Sequence, residues 1–357
     1  MRHGCKRRNC IKTIGTAALI GTAGCLGQSS GSGTTLRYVG WGGNTQEAFE
    51  SVAKKWSDET GNDIKFASAG GNSEIITQLE RNPGDVDITF LDEYGLSQAR
   101  PKGLLADINH EEQLPNFVKN IEDGIQNIRF NKGDAIPRDI INTGYLYNID
   151  KTGEELSSWA ALTRPEYKGE VTVWDSAWFR FGNGGANGAG LTVNDLPGNQ
   201  ANFQKVVDEL NAQDDNIFKY WSSGSQGVRL MREGEAAICE MWDGRARALT
   251  EEKENIRYAI PEEGTLGALN HNVIPASSEK KETALNFMNW LFKKENLVEL
   301  SQGTGYAIPV KDAPSEIRDL PGYVDIAANP DQITFTNLEK VKPELETWSS
   351  KFQDIKQ

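Results

Sequence analysis

Apolar residues along this chain fall into short blocks of two kinds, one alternating with polar neighbours and one recurring at steps of three and four. Leu36 to Val39 reads as a strand, followed by a loop at Gly40-Trp41-Gly42-Gly43-Asn44. Ala48, Phe49, Val52, Ala53 and Trp56 then mark one face of a helix that Gly61 ends. Asp63 to Ser68 and Val86 to Leu91 give a second and a third strand. Strand, helix and strand at this spacing predict a parallel α/β sheet. The middle of the chain continues the pattern. Val171 to Trp174, Ala236 to Met241 and Arg257 to Ile260 read as strands, and Phe203, Val206, Val207 and Leu210 line a helix. One helix is predicted over Glu282 to Leu300, with Leu285, Met288, Leu291 and Phe292 inside. A last helix carries Leu338, Val341, Leu345, Trp348, Phe352 and Ile355. Trp56, Trp290 and Trp348 are placed in the core by this periodicity.

The first 25 residues follow a different logic. Arg7-Arg8-Asn9-Cys10-Ile11-Lys12 looks like a twin-arginine export signal, and Thr22-Ala23-Gly24-Cys25 like a lipoprotein cleavage box. The apolar stretch Thr13 to Ala23 spans 11 residues, whereas a membrane-spanning helix needs roughly 20. Residues 1–24 are therefore expected to be a removable signal, and Cys25 the site of lipidation. Residues 25–35 then form the lipidated cysteine and a flexible linker. The protein is expected to be exported folded and held by its lipid at the outer face of the cytoplasmic membrane.

Composition narrows what the remainder can do. The 357 residues suffice for about two domain-sized units. The net charge of −13 becomes −18 once Arg2, Lys6, Arg7, Arg8 and Lys12 leave with the signal. Such a surface lacks the basic footprint that nucleic acid requires. It suits very salty surroundings, where the Debye length falls to about 3 Å at 1 M salt; ordinary solubility charge is the alternative. Cys5 and Cys10 leave with the signal and Cys25 carries lipid. Cys239 alone remains, a small hydrophobe inside an apolar run that can form no intrachain disulfide.

Catalytic patterns are missing. His110 and His271 are the two histidines of the mature chain; neither sits in a metal-ligand motif, and no G-x-S-x-G elbow exists beyond the linker. The run Phe181-Gly182-Asn183-Gly184-Gly185-Ala186-Asn187-Gly188 lacks the Gly-Lys-Ser/Thr of a phosphate loop, so it is read as a flexible loop beside a helix start. Asp214-Asp215 is read as solvated. No catalytic residue, metal site or cofactor is assigned, and an exported hydrolase would need a catalytic group the chain does not display.

At Ser158-Trp159-Ala160-Ala161-Leu162 and Pro165-Glu166-Tyr167-Lys168-Gly169 the chain resembles a known family. The same resemblance runs through Gly234-Glu235-Ala236-Ala237, Met241-Trp242-Asp243-Gly244 and Ile260-Pro261-Glu262-Glu263-Gly264. It ends with Val273-Ile274-Pro275-Ala276 and Thr304-Gly305-Tyr306. The family is the extracellular solute-binding proteins of ABC importers, nearest the spermidine/putrescine-binding group. The resemblance implies an α/β, two-lobed periplasmic-binding-protein-like fold of type 2, with two chain crossovers and a ligand cleft between the lobes. Lobe 1 would comprise 36–142 and 267–311, and lobe 2 would comprise 143–266, with C-terminal helices over 312–357 lying mainly on lobe 2. The lobes would close on a small organic solute, and the closed monomer would dock on a membrane permease with its ATPase. A tethered receptor for chemosensing is the alternative reading.

The resemblance also implies a site. Trp41, Tyr94, Trp242 and Tyr306 match aromatic positions that line the polyamine cleft, where aromatic faces attract ammonium groups. Ser176, Phe179 and Asn270 stand where the polyamine binders place carboxylates, and Ala268 stands where they place an aromatic. Asp92 and Asp243 lie near enough to substitute, and Asn44 completes the expected ligand contacts. Arg138, Arg180 and Arg245 fall near the cleft segments; they are read equally as salt-bridge residues or as contacts for an anionic group. The solute is accordingly expected to be polyamine-like or another small polar or zwitterionic compound.

Overall fold

The computed structural model describes residues 33–126 and 132–357. The export signal, Cys25 and most of the linker lie outside the described residues. Ten strands are described: β1 (Thr35–Gly40), β2 (Asp63–Ser68), β3 (Ile88–Asp92), β4 (Ile136–Asn148) and β5 (Val171–Trp174), then β6 (Ile217–Trp221), β7 (Ile238–Trp242), β8 (Ile256–Ala259), β9 (Thr265–Val273) and β10 (Ile333–Phe335). Their order is β2-β1-β3-β9-β4-β7-β5-β6, with β10 beside β9 and β8 beside β4. The parallel pairing of β1 with β2 and β3, and of β5 with β6 and β7, follows from the intervening helices.

One strand belongs to both halves of this sheet. Residues Ile136 to Asn142 of β4 pair with β9, whereas Thr143 to Tyr147 pair with β7. At the change of partner Thr143 donates its N–H to Thr265 Oγ1 (3.1 Å), and the Thr265 hydroxyl donates to the Thr143 carbonyl (2.6 Å). The backbone groups that a strand loses on leaving a sheet are thus paired where it leaves.

Separate apolar cores cover the two halves. Leu36, Phe49, Trp56, Phe117, Phe287 and Leu300 pack around β1 and β3. Phe181, Val206, Leu210, Trp348 and Phe352 pack beyond β5 and β7, where Trp348 stacks on Phe181 at 5.3 Å. Trp159 is fully buried and donates its indole N–H to the Gly264 carbonyl at 2.9 Å, joining two of the sequence landmarks. Trp56, Trp290, Trp348 and Cys239 are buried, as periodicity predicts.

Four expectations need correction. The helix predicted over Glu282 to Leu300 is two helices, Lys281–Leu291 and Lys294–Thr304, because Lys293 is extended. At the break the Trp290 carbonyl accepts from Lys293 N–H (3.1 Å) and from the Asn296 amide (2.8 Å), and Phe292 turns inward onto Phe117. The last helix is interrupted by a tight turn at Lys342–Glu344, where Pro343 lacks a donor. The glycine run is no loop: Phe181–Asn187 is a buried, widened helical turn continuing Ala177–Arg180. A Cβ at Gly184 would lie 2.6 Å from both Arg180 Nη1 and Gln213 Oε1, so glycine here admits a buried polar network. The Asp214-Asp215 pair is also only partly solvated, since Asp214 accepts from the Tyr220 hydroxyl at 2.5 Å.

Among the described residues no helix is long and apolar enough to cross a membrane.

Candidate ligand cleft

The C-terminal ends of β1, β3, β5 and β7 converge on one cavity of about 310 Å³, the position at which open α/β sheets bind ligands. Trp41 follows β1, Asp92 ends β3, Trp174 ends β5 and Trp242 ends β7. Ala268 and Asn270 enter from the middle of β9, and Tyr306 from the turn after Lys294–Thr304. Alternation along β9 sends Ala268 and Asn270 to one face.

Aromatic rings make most of the wall. Trp41 stands edge-on to Phe90 with centroids 4.9 Å apart. Across the cavity Trp174 meets Trp242 edge-on at 4.8 Å and Phe179 at 4.4 Å, while Trp178 meets Phe179 at 5.2 Å. Behind them Trp221 is fully buried and stacks on Trp174 at 5.8 Å. Two close approaches set these rings. A Cβ at Gly224 would lie 2.9 Å from the Trp242 ring, and one at Gly244 would lie 2.4 Å from the Tyr306 ring.

Two residues of the wall are charged, Asp92 and Arg245. Asp92 caps the helix Glu93–Ala99: its Oδ1 accepts from Gly95 N–H and from the Asn72 amide, both at 2.7 Å. Burial nevertheless raises its pKa above the ordinary carboxylate value, the hydrogen bonds opposing that shift in part. Arg245 lies in the first turn of Asp243–Glu252, is exposed at the cavity rim and enters no ion pair among the described residues.

A second charged layer lies beneath the floor. Arg138 and Asp139 are buried and pair at 2.6 Å. The Arg138 guanidinium lies 4.0 Å from the centre of the Phe90 ring, and Asp139 Oδ1 accepts from the Asn270 amide at 2.6 Å. The ion pair therefore holds two residues of the wall from behind. Arg180 is likewise buried, pairing with Glu240 at 2.8 Å. Of the three arginines singled out in sequence, two are interior salt-bridge residues and Arg245 alone faces the cavity.

The remaining candidates divide. Trp41, Asp92, Phe179, Trp242, Asn270 and Tyr306 are together on the wall. Tyr94 and Ser176 are not; the Tyr94 ring sits 6.5 Å from Trp178 with the Lys342 ammonium 5.8 Å from its centre, and Ser176 precedes Ala177–Arg180. The side chain of Asn44 lies outside what is described. Asp243 is no substitute carboxylate: it is wholly buried, and its carboxyl lies under Gly322, where a Cβ would be 1.9 Å from Oδ2. Sequence reasoning missed Tyr38, Thr45, Gln46, Phe90, Ile141, Trp174 and Trp178. Trp174 could have been found, since it ends a parallel strand as Asp92 and Trp242 do. Phe90 and Tyr38 carry only the apolar signature of a core.

A family of bacterial extracellular solute-binding proteins matches residues 51–329. The chain belongs to that family. A spermidine/putrescine-binding periplasmic protein of Haemophilus influenzae is 25% identical over 288 residues, 78% of either chain. Its Escherichia coli counterpart is 24% identical over 281 residues, 77% of either chain. A spermidine/putrescine ABC transporter substrate-binding protein from Streptococcus pneumoniae superposes with a TM-score of 0.80 at 20% identity, covering 91% of this chain and 100% of that one. These relatives are solute-binding proteins and not enzymes, and the two-lobed α/β fold implied by the sequence is theirs.

Glu93, next to Asp92, provides a test of burial in this solute-binding protein. Its carboxyl accepts from Leu269 N–H at 2.7 Å, and desolvation raises its pKa from 4.5 to about 8. The folded state holds this proton in the window where the unfolded chain has lost it. Stability is therefore expected to fall as pH rises from 4.5 to about 8, by up to about 1.4 kcal/mol per unit. Glu93→Gln keeps the acceptor and removes the titration. Urea denaturation at pH 5 and 8 is expected to show the variant more stable than wild type at the higher pH, with the two curves converging in acid. Parallel curves would mean Glu93 is charged in the folded protein.

Proposed function

We propose that this chain is the solute-binding component of an ABC importer, lipid-anchored through Cys25 after twin-arginine export, and that it hands a small ammonium-bearing solute, polyamine-like or zwitterionic, to a permease. The observation that carries the reading is an aromatic cavity holding one carboxylate, Asp92, that enters no ion pair among the described residues. Ring faces and a carboxylate both attract ammonium, each face by about 0.5–2 kcal/mol according to desolvation. The names of the relatives, which bind spermidine, putrescine or both, favour the same chemistry.

The proposed lobes are 36–142 with 267–311, and 143–266. The change of partner by β4 between Asn142 and Thr143 supports the first boundary, and packing of Trp348 and Phe352 on Phe181 and Val206 supports assigning the C-terminal helix to the second lobe. Closure about β4 and β9 would bring Trp41 and Phe90 towards Trp174 and Trp242. Native mass spectrometry of the purified full-length protein is expected to show a trapped small organic cation or zwitterion. A calorimetric screen that found turnover, or no small-solute binding in high salt, would reject the proposal.

Asp92 also gives this reading a pH dependence. Because burial raises its pKa, ammonium affinity is expected to begin falling above the ordinary carboxylate range. Below that pKa the loss is about tenfold per pH unit, as the neutral carboxyl ceases to attract the cation. Asp92→Asn is expected to bind weakly at every pH with a flat profile, read by calorimetry from pH 4 to 8. A sloping profile in the variant would place the titrating group elsewhere.

A further inference from the structure

The charge on the cavity wall is balanced, and it is divided between opposite walls. Asp92 ends β3 on one side, and Arg245 stands on the other beside Tyr306 in the first turn after β7. Neither is ion-paired among the described residues.

The Asp92 side has a second acceptor. Asn270 is the direct cross-strand partner of Asp92 in the β3–β9 ladder, so the two side chains leave the same face as neighbours. Asp139 takes the Asn270 amide hydrogen, which orients the carbonyl oxygen the other way; that Oδ1 is buried and has no hydrogen-bond partner. A buried orphan acceptor loses free energy unless a ligand meets it. Carboxylate and amide oxygen together suit a primary ammonium, which carries three donors.

The Arg245 side suits the opposite charge. A guanidinium at the rim takes a carboxylate through two parallel hydrogen bonds. No carboxylate on that wall could take a second ammonium, because Asp243 is buried under Gly322 and Asp139 is engaged by Arg138 and Asn270. A cavity of about 310 Å³ is at the small end for ligand sites.

We infer that the cleft is built for a short ω-amino acid, its ammonium on Asp92 and Asn270 and its carboxylate on Arg245, in preference to a linear diamine. The inference rests on the proposed capture of an ammonium-bearing solute and specifies its other end. Titration calorimetry of the full-length protein with 5-aminopentanoate, 1,5-diaminopentane and pentanoate, three chains of one length, separates the possibilities. The amino acid is expected to bind at least tenfold more tightly than either relative. Arg245→Gln is expected to lose about tenfold for the amino acid and nothing for the diamine, and Arg245→Glu to reverse the preference; thermal melts check that both variants stay folded. Tighter binding of the diamine by wild type would overturn the inference while leaving ammonium capture standing. Binding of pentanoate alone, or of none of the three, would overturn both.

Discussion

Trp242→Ala is expected to weaken solute capture by about two orders of magnitude while the protein still folds. The indole is partly exposed, and its edges are fixed by Trp174 at 4.8 Å and Trp221 at 5.4 Å. Those contacts leave it presented to the cavity. A desolvated ammonium against such a face contributes about 2 kcal/mol, and lost apolar contact adds to it; about 2.7 kcal/mol corresponds to a hundredfold in affinity. The stability effect should be smaller than the ~3–5 kcal/mol of deleting a buried tryptophan, because truncation widens an existing cavity instead of opening a void. Trp221→Ala is the counterpart. That ring is fully buried, so its loss should lower the melting temperature more and the affinity less. Calorimetry and thermal denaturation of both variants test the assignment, and unchanged affinity in Trp242→Ala would make it a packing residue.

The contrast between Trp242 and Trp221 also shows how far the sequence could be read. Both end strands of the same apolar signature, and periodicity reports that a residue is shielded from water without saying whether a neighbour or a ligand shields it. Trp242 was singled out because a family motif surrounds it, and Trp174, with no such motif, went unnoticed. Strands were legible because alternation is local: Asp63–Ser68 and Val171–Trp174 are observed at the predicted limits. The break at Lys293 was not, because Asn296 and Phe117 decide it and the second is remote in sequence. The glycine run failed for a related reason. Its glycines are required by Arg180 and Gln213 packed against them, and glycine in sequence looks the same whether it confers freedom or permits close approach. Charge was the least legible property. Arg138, Arg180 and Arg245 are equivalent as letters, yet two are neutralised in the interior and one is open to the cavity.

Asp139→Ala is expected to destabilise the protein by about 3–5 kcal/mol, the range for stranding one member of a buried ion pair. Asp139 is the carboxylate that compensates Arg138, and both side chains are shielded from solvent. Without it the guanidinium keeps a 3.5 Å contact to Asn272 and the ring of Phe90, neither of which carries charge. The same substitution should weaken binding through a separate route. It removes the acceptor that orients the Asn270 amide, so the carbonyl of Asn270 is no longer held towards the cavity. A double variant separates the two effects. Arg138→Met with Asp139→Leu removes both charges, and replacement of a buried pair by apolar groups is often neutral or stabilising. Stability should therefore return to near that of wild type, whereas affinity should stay low because Asn270 remains unanchored. Urea denaturation and calorimetry on the two variants make the comparison. Recovery of stability and affinity together would show that the pair serves only the fold. Recovery of stability alone would show that an ion pair beneath the floor fixes the geometry of the ligand cleft.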